Sequence, residues 1–237
     1  MIEIKNVTKK YGDKIVLNNM NLTIESGDIF AFVGHNGAGK TTCIKCMTDI
    51  IEFESGDILY DGISIKNEPL ICKKNIAYIP DNPDLYEFLK GIDYLNFIAD
   101  IFEMDSSRLE KINKYATEFE LKESLGNPIG SYSHGMKQKL AIIGALIHEP
   151  KYIILDEPFV GLDPVATKKL KDHMIEMTKK GTSIFFSTHV LEVAEKLCNK
   201  IAIIKNGQLI KTGLMHDVLK DKSLEDIFME LENEKIS

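Results

Sequence analysis

The first 25 residues alternate between apolar and polar side chains in two stretches, residues 2–7 and residues 20–25. Alternation with a period of two is typical of strands that bury one face, so both stretches are predicted to be antiparallel strands. Residues 29–33 are continuously apolar, which predicts a strand buried on both faces of a sheet. A glycine-rich loop follows, and then a predicted helix over residues 40–50. Short strands are predicted at 57–60 and 76–79.

Between residues 86 and 148, apolar residues recur at helical spacing, which predicts an inserted block of three to four helices. Ser223 and Asp226 predict the start of a final short helix, and Asn206-Gly207 predicts a hairpin. Beyond the block, strands are predicted at 152–155, 183–187, 201–205 and 208–212, and helices at 164–179 and 189–198. This alternation predicts an α/β fold, with a mainly parallel sheet, an N-terminal antiparallel β subdomain and an inserted helical subdomain.

Composition narrows the class of protein. The chain has 237 residues, 29 Lys plus Arg, 36 Asp plus Glu and a net charge of −7. Its hydrophobic content is typical of a globular protein and excludes a disordered or fibrous chain. The acidic balance argues against nucleic acid as a partner. The sequence has no run approaching the ~20 apolar residues of a membrane span and begins without the pattern of a signal peptide, so a soluble, cytoplasmic chain is expected.

A glycine-rich stretch from Gly34 to Thr41 fits the pattern G-x-x-x-x-G-K-[ST] between a predicted strand and a predicted helix. Glycines let backbone N–H groups turn inward onto an anion, and the helix N-terminus adds a positive dipole. We expect Lys40 to reach the β and γ phosphates of a nucleotide triphosphate and Thr41 to bind Mg²⁺. The alternative is a glycine-rich turn with a chance Lys-Thr, which the flanking elements disfavour. The predicted nucleotide-binding residues are Gly34, Asn36, Gly37, Ala38, Gly39, Lys40, Thr41 and Thr42.

Two carboxylates, Asp156 and Glu157, follow the predicted strand at 152–155. Ligands of such sheets bind at the carboxyl ends of the strands. Asp156 is therefore a candidate to hold Mg²⁺ through its water shell, and Glu157 is the candidate general base for an attacking water. The alternative is a strand end with solvated acids, which the nearby phosphate loop disfavours.

Three further motifs are present: Tyr132 to Lys139 (Tyr-Ser-His-Gly-Met-Lys-Gln-Lys), which lies between the two motifs above, and then Gly161-Leu162-Asp163 and Ser187-Thr188-His189. With the two motifs above, this set resembles the ATP-binding cassette (ABC) ATPases over residues 2–231. The resemblance implies a P-loop NTPase (RecA-like) core, ATP and Mg²⁺ as cofactors, and hydrolysis that drives a separate transmembrane permease. It also implies a head-to-tail dimer with a second copy or a related cassette, at the cytoplasmic face of the membrane.

The resemblance assigns five further residues. It implies that Tyr11 stacks on adenine, that Ser133 and Gly135 bind the γ-phosphate held by the opposite subunit, that Asp163 couples the two sites, and that His189 contacts the γ-phosphate. From the residues alone, Ser133 and Gly135 begin a predicted helix, where an anion could bind. Tyr11 could instead be a turn aromatic, His189 a helix-capping histidine and Asp163 an acid at the start of a helix.

The sequence departs from the family at two positions. His134 stands where the family's signature motif, here Tyr132 to Lys139, usually has glycine, and we expect it to point outward. Asp81 stands where the family usually has a glutamine that touches Mg²⁺ and the water. An aspartate oxygen could also bind Mg²⁺, so Asp81 is a candidate catalytic and metal-binding residue. The alternative is that Asp81 faces solvent while Pro80 and Pro83 shape a docking surface. This segment resembles bacitracin-type and Ecs-type cassettes.

We interpret residues 1–237 as one cassette, with an ATP-binding core and β subdomain (1–83 and 150–220), a helical subdomain (84–149) and a C-terminal helix (221–237). Two other functions are disfavoured by the sequence. A soluble ABC protein acting on DNA or ribosomes would carry a long insertion between Lys40 and Ser133, or a second cassette. A P-loop kinase or GTPase would lack the signature and His189. Since no large C-terminal regulatory domain is evident, export is the expected direction.

Overall fold

Two β-sheets organise residues 1–233, the part of the chain that this computed structural model describes. The strands are β1 (Ile2–Tyr11), β2 (Lys14–Ile24), β3 (Ile29–Val33), β4 (Ser55–Tyr60), β5 (Ile63–Ser64), β6 (Ile76–Ile79), β7 (Tyr152–Asp156), β8 (Ser183–Thr188), β9 (Lys200–Lys205) and β10 (Gln208–Leu214). The helices are α1 (Lys40–Met47), α2 (Pro69–Lys73), α3 (Gly91–Ile101), α4 (Arg108–Glu118), α5 (His134–Ile147), α6 (Pro164–Lys179), α7 (Leu191–Leu197), α8 (Met215–Leu219) and α9 (Leu224–Asn233).

The larger sheet has the strand order β10-β9-β3-β8-β7-β6. Its pairs are parallel except for β9 with β10, which form an antiparallel hairpin. Every residue of β3 and β7 is buried, as their continuous apolar runs predict. The carboxyl ends of β3, β6, β7, β8 and β9 therefore meet at one edge, and the motifs at 34–42, 156–157 and 187–189 all lie there.

The smaller sheet, in the order β2-β1-β4-β5, is antiparallel and confirms the predicted β subdomain. β1 extends to Tyr11, well beyond the predicted residues 2–7. Its pairing with β2 shifts register between Ile4 and Val7 and again between Val7 and Lys9. Such bulges break the strict alternation of side chains, and this is why the pattern ended early.

The inserted block contains three α-helices, α3, α4 and α5, within the predicted range. α5 is its centre, because nine of its residues are buried. α3 buries Leu95 and Ala99 but leaves Phe97 and Ile101 exposed on its outer side. Within residues 1–233, the structure has no helix with both the length and the apolar character needed to cross a membrane.

Several element ends differ from the prediction. α1 stops at Met47 because the Thr48 hydroxyl bonds back to the Ile44 carbonyl (2.9 Å) and Asp49 adopts a positive φ of 54°. α2 and α8 were not predicted, since five residues are too few to show helical periodicity. The capping pair is confirmed: Ser223 Oγ accepts a hydrogen bond from the Asp226 N–H (3.1 Å). The predicted C-terminal helix begins at Leu224, and its last four residues lie outside the described range.

His148 is half-buried where the helical block meets the large sheet. Its ring stacks on Phe102 with centroids 3.7 Å apart, and burial lowers its pKa to about 4. As the pH falls below 6.5, His148 therefore becomes protonated in the unfolded chain while it stays neutral in the folded chain. The unfolding free energy is expected to fall by about 2 kcal/mol between pH 7 and pH 5 from this group.

Urea unfolding at the two pH values measures this effect. The variant His148→Phe keeps a ring against Phe102 and is expected to lose that part of the pH dependence. The matched control is His216→Gln, because it also removes an imidazole but from a side chain that is 95% exposed. An unchanged pH dependence in His148→Phe would assign the effect to other groups.

Candidate functional site

A cavity of about 380 Å³ lies at the carboxyl edge of the larger sheet. Its walls come from β1, β2, the loop between β3 and α1, and the ends of β6 and β7. The lining residues are Tyr11, Val16, Asn36, Gly37, Gly39, Lys40, Thr41, Thr42, Asp81, Asp156 and Glu157. The fold therefore brings together most residues of the first two motifs with Tyr11 and Asp81.

The loop before α1 has the backbone of an anion cradle. Gly37 and Gly39 have φ values of +82° and +114°, in the region that favours glycine. A Cβ at Gly39 would lie 2.9 Å from the Val16 carbonyl oxygen, so a side chain there would collide with β2. Gly34 and Ala38 do not line the cavity but lie behind it. α1 begins at Lys40, which places the first N–H groups of this helix at the cavity.

Lys40 is buried at the base of this loop. Its ammonium donates hydrogen bonds to the carbonyls of Gly34 (2.7 Å) and His35 (3.3 Å) and lies 3.9 Å from Glu157 Oε1. Burial lowers the pKa of Lys40, and the carboxylates of Glu157 and Asp156 oppose that shift. The cavity thus contains a positioned cation with acidic neighbours, where phosphate oxygens would compete for its N–H donors.

Asp156 is 1% exposed, and one of its two carboxylate oxygens has no hydrogen-bond partner among the described residues. Its Oδ1 accepts a hydrogen bond from the Ser187 hydroxyl, whereas Oδ2 has no hydrogen-bond partner among the described residues. A buried carboxylate oxygen without a partner is destabilising, and a hard cation such as Mg²⁺ takes oxygen ligands. The residues present therefore fit Mg²⁺, and Thr41 and Asp81 line the same cavity as Asp156.

The described residues include no group of three or more His, Cys, Asp or Glu side chains able to hold a metal. Mg²⁺ is commonly bound through one or two protein carboxylates together with substrate phosphates and water. Asp156 offers a ligand of that kind.

Glu157 is held in an uncommon backbone conformation, with φ at +48°. Its N–H donates to the carbonyl (3.2 Å) and hydroxyl (3.1 Å) oxygens of Ser187. Its carboxylate Oε2 lies 3.0 Å from His189 Nδ1 and accepts from the His189 N–H at 3.3 Å. A strained residue that others hold in place is a common feature of functional sites. The structure thus joins Glu157 and His189, which the sequence places 32 positions apart.

Ser187 is the residue that sequence reasoning missed. Its hydroxyl touches both Asp156 and Glu157, although the motif at 187–189 was used only for His189. In the parallel pairing of β7 with β8, Ser187 lies directly opposite Asp156. Strand register is the signal that could have identified it.

Ser133 and Gly135 do not line this cavity. The Ser133 hydroxyl accepts from the Met136 N–H (3.3 Å), so it caps the N-terminus of α5. A Cβ at Gly135 would lie 2.7 Å from the Gly161 carbonyl oxygen. His134 is exposed, as expected, and its ring packs beside Gly161. The signature therefore contacts the loop that carries Asp163.

Asp163 also caps a helix. Its Oδ1 accepts from the Ala166 N–H (2.8 Å) at the start of α6, and its Oδ2 lies 2.6 Å from Lys139 Nζ. The hydrogen bond and charge of Lys139 lower the pKa of Asp163. This geometry fits the interpretation of Asp163 as an acid at a helix start, and leaves its coupling role as a prediction.

Tyr11 and Asp81 line the cavity from exposed positions. The Tyr11 ring is 52% exposed, with Lys9 Nζ 5.1 Å from its centroid. Asp81 is exposed and its Oδ1 accepts from the Asn82 N–H at 2.8 Å. Asp81 therefore both faces solvent and lines the same cavity as Asp156, so the geometry is compatible with either interpretation of this residue.

A buried strand, a glycine-rich loop with Lys40 and a helix, beside an acid pair at the same sheet edge, define the P-loop class of nucleotide-binding proteins. The family model described as ABC transporter matches residues 17–160, and the chain belongs to this family. It is an ATP-binding, ATP-hydrolysing subunit of a membrane transporter. The family and the P-loop fold that were predicted from the sequence are thereby confirmed.

The relatives support this assignment over nearly the whole chain. The chain is 33% identical to the ABC-type transporter ATP-binding protein EcsA of Bacillus subtilis, covering 99% of this chain and 97% of that protein. It is 34% identical to the lantibiotic transport ATP-binding protein SrtF of Streptococcus pyogenes, over 96% of each. A solved structure of an ATP binding subunit of an ABC transporter superposes with a TM-score of 0.94, at 33% identity, covering 98% of this chain and 100% of that one.

Proposed function

We propose that this chain hydrolyses ATP with Mg²⁺ in the cavity described above, as half of a head-to-tail dimer that drives a separate permease. Residues 1–83 and 150–220 would form its ATP-binding unit, and residues 84–149 the unit that meets the permease. The observation that carries the proposal is one cavity that holds the Lys40 ammonium, the unpartnered Asp156 Oδ2 and the Glu157 carboxylate.

Each residue of the cavity has a role in this proposal. The loop at 34–42 and Lys40 bind the β and γ phosphates, and Tyr11 stacks on the base. Thr41, Asp156 and Asp81 would hold Mg²⁺, which neutralises phosphate charge when bound. Glu157 accepts a proton from the water that attacks the γ-phosphorus, while the phosphorus–oxygen bond to ADP breaks. His189 orients Glu157, with which it pairs at 3.0 Å, and would contact the γ-phosphate.

The second half of the site is proposed to come from a partner cassette. Ser133, Gly135 and Asp163 form a separate group outside the cavity, so a second molecule must present them if they act on the nucleotide. Head-to-tail pairing of two copies satisfies this requirement. A dimeric cassette bound to ADP and phosphate has a similar fold (TM-score 0.82, 23% identity), which is consistent with a dimer of cassettes.

An exposed aromatic patch, Tyr86, Phe88 and Phe97, is the proposed contact with the permease. Phe88 is 79% exposed, and the Tyr86 ring lies 6.0 Å from Phe88 and 6.2 Å from Phe97 between centroids. Exposed apolar patches mark interaction sites, and this one follows the Asp81 loop directly. Docking there would hold the chain at the cytoplasmic face of the membrane. The proposed direction of transport is export.

Binding to vesicles that carry the permease, sought among multi-span proteins encoded beside this chain, tests the proposal. Phe88→Asp should weaken binding at least about tenfold, since it places a charge in an apolar contact. The control is Leu109→Asp, because Leu109 is 57% exposed on α4, outside the patch. Equal binding of both variants would remove the patch from the interface. ATP added outside inverted vesicles should drive transport into their lumen if the direction is export.

Asp81 is tested by separating basal from permease-stimulated hydrolysis. Asp81→Asn should raise the Mg²⁺ concentration for half-maximal activity less than Asp156→Asn does, because Asp156 is the buried ligand with a free oxygen. Asp81→Asn should also impair permease-stimulated hydrolysis more than basal hydrolysis, because the loop that carries Asp81 leads to the aromatic patch. Wild-type rates in both assays for Asp81→Asn and Asp81→Gln would leave Asp81 only the docking-surface role.

A further inference from the structure

The turn of the β9–β10 hairpin touches the phosphate-binding loop from behind. The Gly207 N–H donates a hydrogen bond to the Ala38 carbonyl (2.9 Å), and the Gly207 carbonyl accepts from the Asn18 N–H (2.9 Å). One residue of the turn is thus bonded both to the loop and to β2. Both hydrogen bonds join backbone atoms, so their geometry is fixed by the backbone segments and not by flexible side chains.

Ile204, at the end of β9, supports the same loop. It is fully buried, and a Cβ at Gly34 would lie 2.8 Å from its Cγ2, whereas one at Gly39 would lie 3.3 Å from its Cδ1. The first and last glycines of the loop therefore rest on this one side chain. Together with the bond from Gly207 to Ala38, the hairpin contacts the loop at three points on the side away from the cavity.

Gly207 is confined by its neighbours as well as by its backbone. Asn206 and Gly207 have φ values of +48° and +77°, as a two-residue hairpin turn requires. A Cβ at Gly207 would lie 2.8 Å from the carbonyl carbon of Val16 and 3.3 Å from the Leu17 nitrogen. These atoms are backbone of β2 and cannot rotate away. Since Val16 lines the cavity, any displacement at Gly207 reaches two of the cavity walls.

We propose that Gly207 is a positioning residue for the nucleotide, one that sets ATP affinity without contacting ATP. It fixes the separation between the phosphate-binding loop and the β2 wall, because it is bonded to the first and in contact with the second. A site of this kind must be held within about 0.5 Å to bind well. The inference rests on the proposed function, in which the loop at 34–42 holds the phosphates.

The chain offers a matched control in the β4–β5 hairpin. Asp61 and Gly62 have φ values of +50° and +82°, nearly those of Asn206 and Gly207. A Cβ at Gly62, however, would meet nothing within 4 Å. Alanine at the two positions therefore carries similar backbone strain, and only Gly207→Ala adds a collision with β2.

Steady-state hydrolysis and equilibrium ATP binding test the inference. Gly207→Ala should raise the KM and Kd for ATP by about tenfold and change kcat by less than about threefold, because the loop holds the same phosphates in the ground state and the transition state. Gly62→Ala should leave the KM and Kd within about twofold of wild type, since the strain is local. Equal KM values for the two variants in folded protein would overturn the inference.

If Gly207→Ala does not fold, a pair of less disruptive variants tests the same inference. Ile204→Val removes the methyl group that faces Gly39, and Ile203→Val removes the same group from an equally buried neighbour on the other face of the sheet. At similar losses of stability, only Ile204→Val should raise the KM for ATP, by about threefold. Equal KM values for this pair would also overturn the inference.

Lys40→Ala separates the inference from the proposal beneath it. If Lys40→Ala binds ATP as wild type does, the loop does not hold the phosphates and the proposed function itself fails. If Lys40→Ala loses affinity while the hairpin variants keep it, only the role of Gly207 is wrong.

Discussion

Glu157→Gln is expected to bind ATP with near-wild-type affinity and to hydrolyse it about 10²–10⁴-fold more slowly, the usual range for loss of a general base. The amide keeps the shape of the side chain but cannot take a proton from water. Lys40 and Asp156 remain to bind phosphates and metal, so affinity should survive. The variant should also accumulate as an ATP-bound dimer. Two subunits can still pair on ATP, but the hydrolysis that would separate them is slow.

Single-turnover hydrolysis and light scattering with ATP measure the two effects of this variant. Glu176→Gln is the matched control, because Glu176 is an exposed glutamate on α6 that forms an ion pair with Lys180 (2.9 Å) and does not line the cavity. It should turn over ATP like wild type. Wild-type turnover by Glu157→Gln would remove Glu157 from the mechanism.

Ser133→Arg is expected to abolish hydrolysis while leaving ATP binding by the isolated chain nearly intact. Ser133 lies outside the cavity and caps α5, so its own nucleotide should not depend on it. The lost cap should destabilise the chain by about 1 kcal/mol. The long side chain would occupy the position where the partner's γ-phosphate must approach the start of α5.

Mixing Ser133→Arg with Lys40→Ala tests the pairing directly. Each variant alone should be inactive, but the mixed dimer contains one site with an intact loop and an intact signature. Part of the activity should return on mixing. Ser106→Arg, at an exposed serine before α4, controls for the added charge. Collapse of ATP affinity in the Ser133→Arg monomer would contradict head-to-tail pairing.

The local parts of the site were predictable from the sequence. The loop at 34–41 can be identified from the sequence because its glycines, Lys40 and the flanking strand and helix are contiguous. The helix at 164–179 was predicted to the residue, since Asp163 caps it and Pro164 suits its first position. Such signals depend on neighbours along the chain, which one sequence contains in full.

Contacts between distant segments were not predictable in the same way. The bond between Ser187 and Asp156 depends on the register of two strands, and the bond between Gly207 and Ala38 depends on how a hairpin meets a loop. Neither leaves a pattern in the sequence. The roles proposed for Ser133 and Asp163 require a second molecule, so the structure of a single chain does not display them.

The charge of the cavity wall has a consequence for which form of the nucleotide can enter. Asp81, Asp156 and Glu157 face a single ammonium, that of Lys40, among the lining residues. A nucleotide without a metal ion is negatively charged and would be repelled by these carboxylates. In the complex with Mg²⁺, the positive charge of the metal ion offsets this repulsion. We therefore expect the cavity to bind the magnesium complex of ATP in preference to bare ATP, and the occupancy of the site to depend on the concentrations of both free Mg²⁺ and ATP.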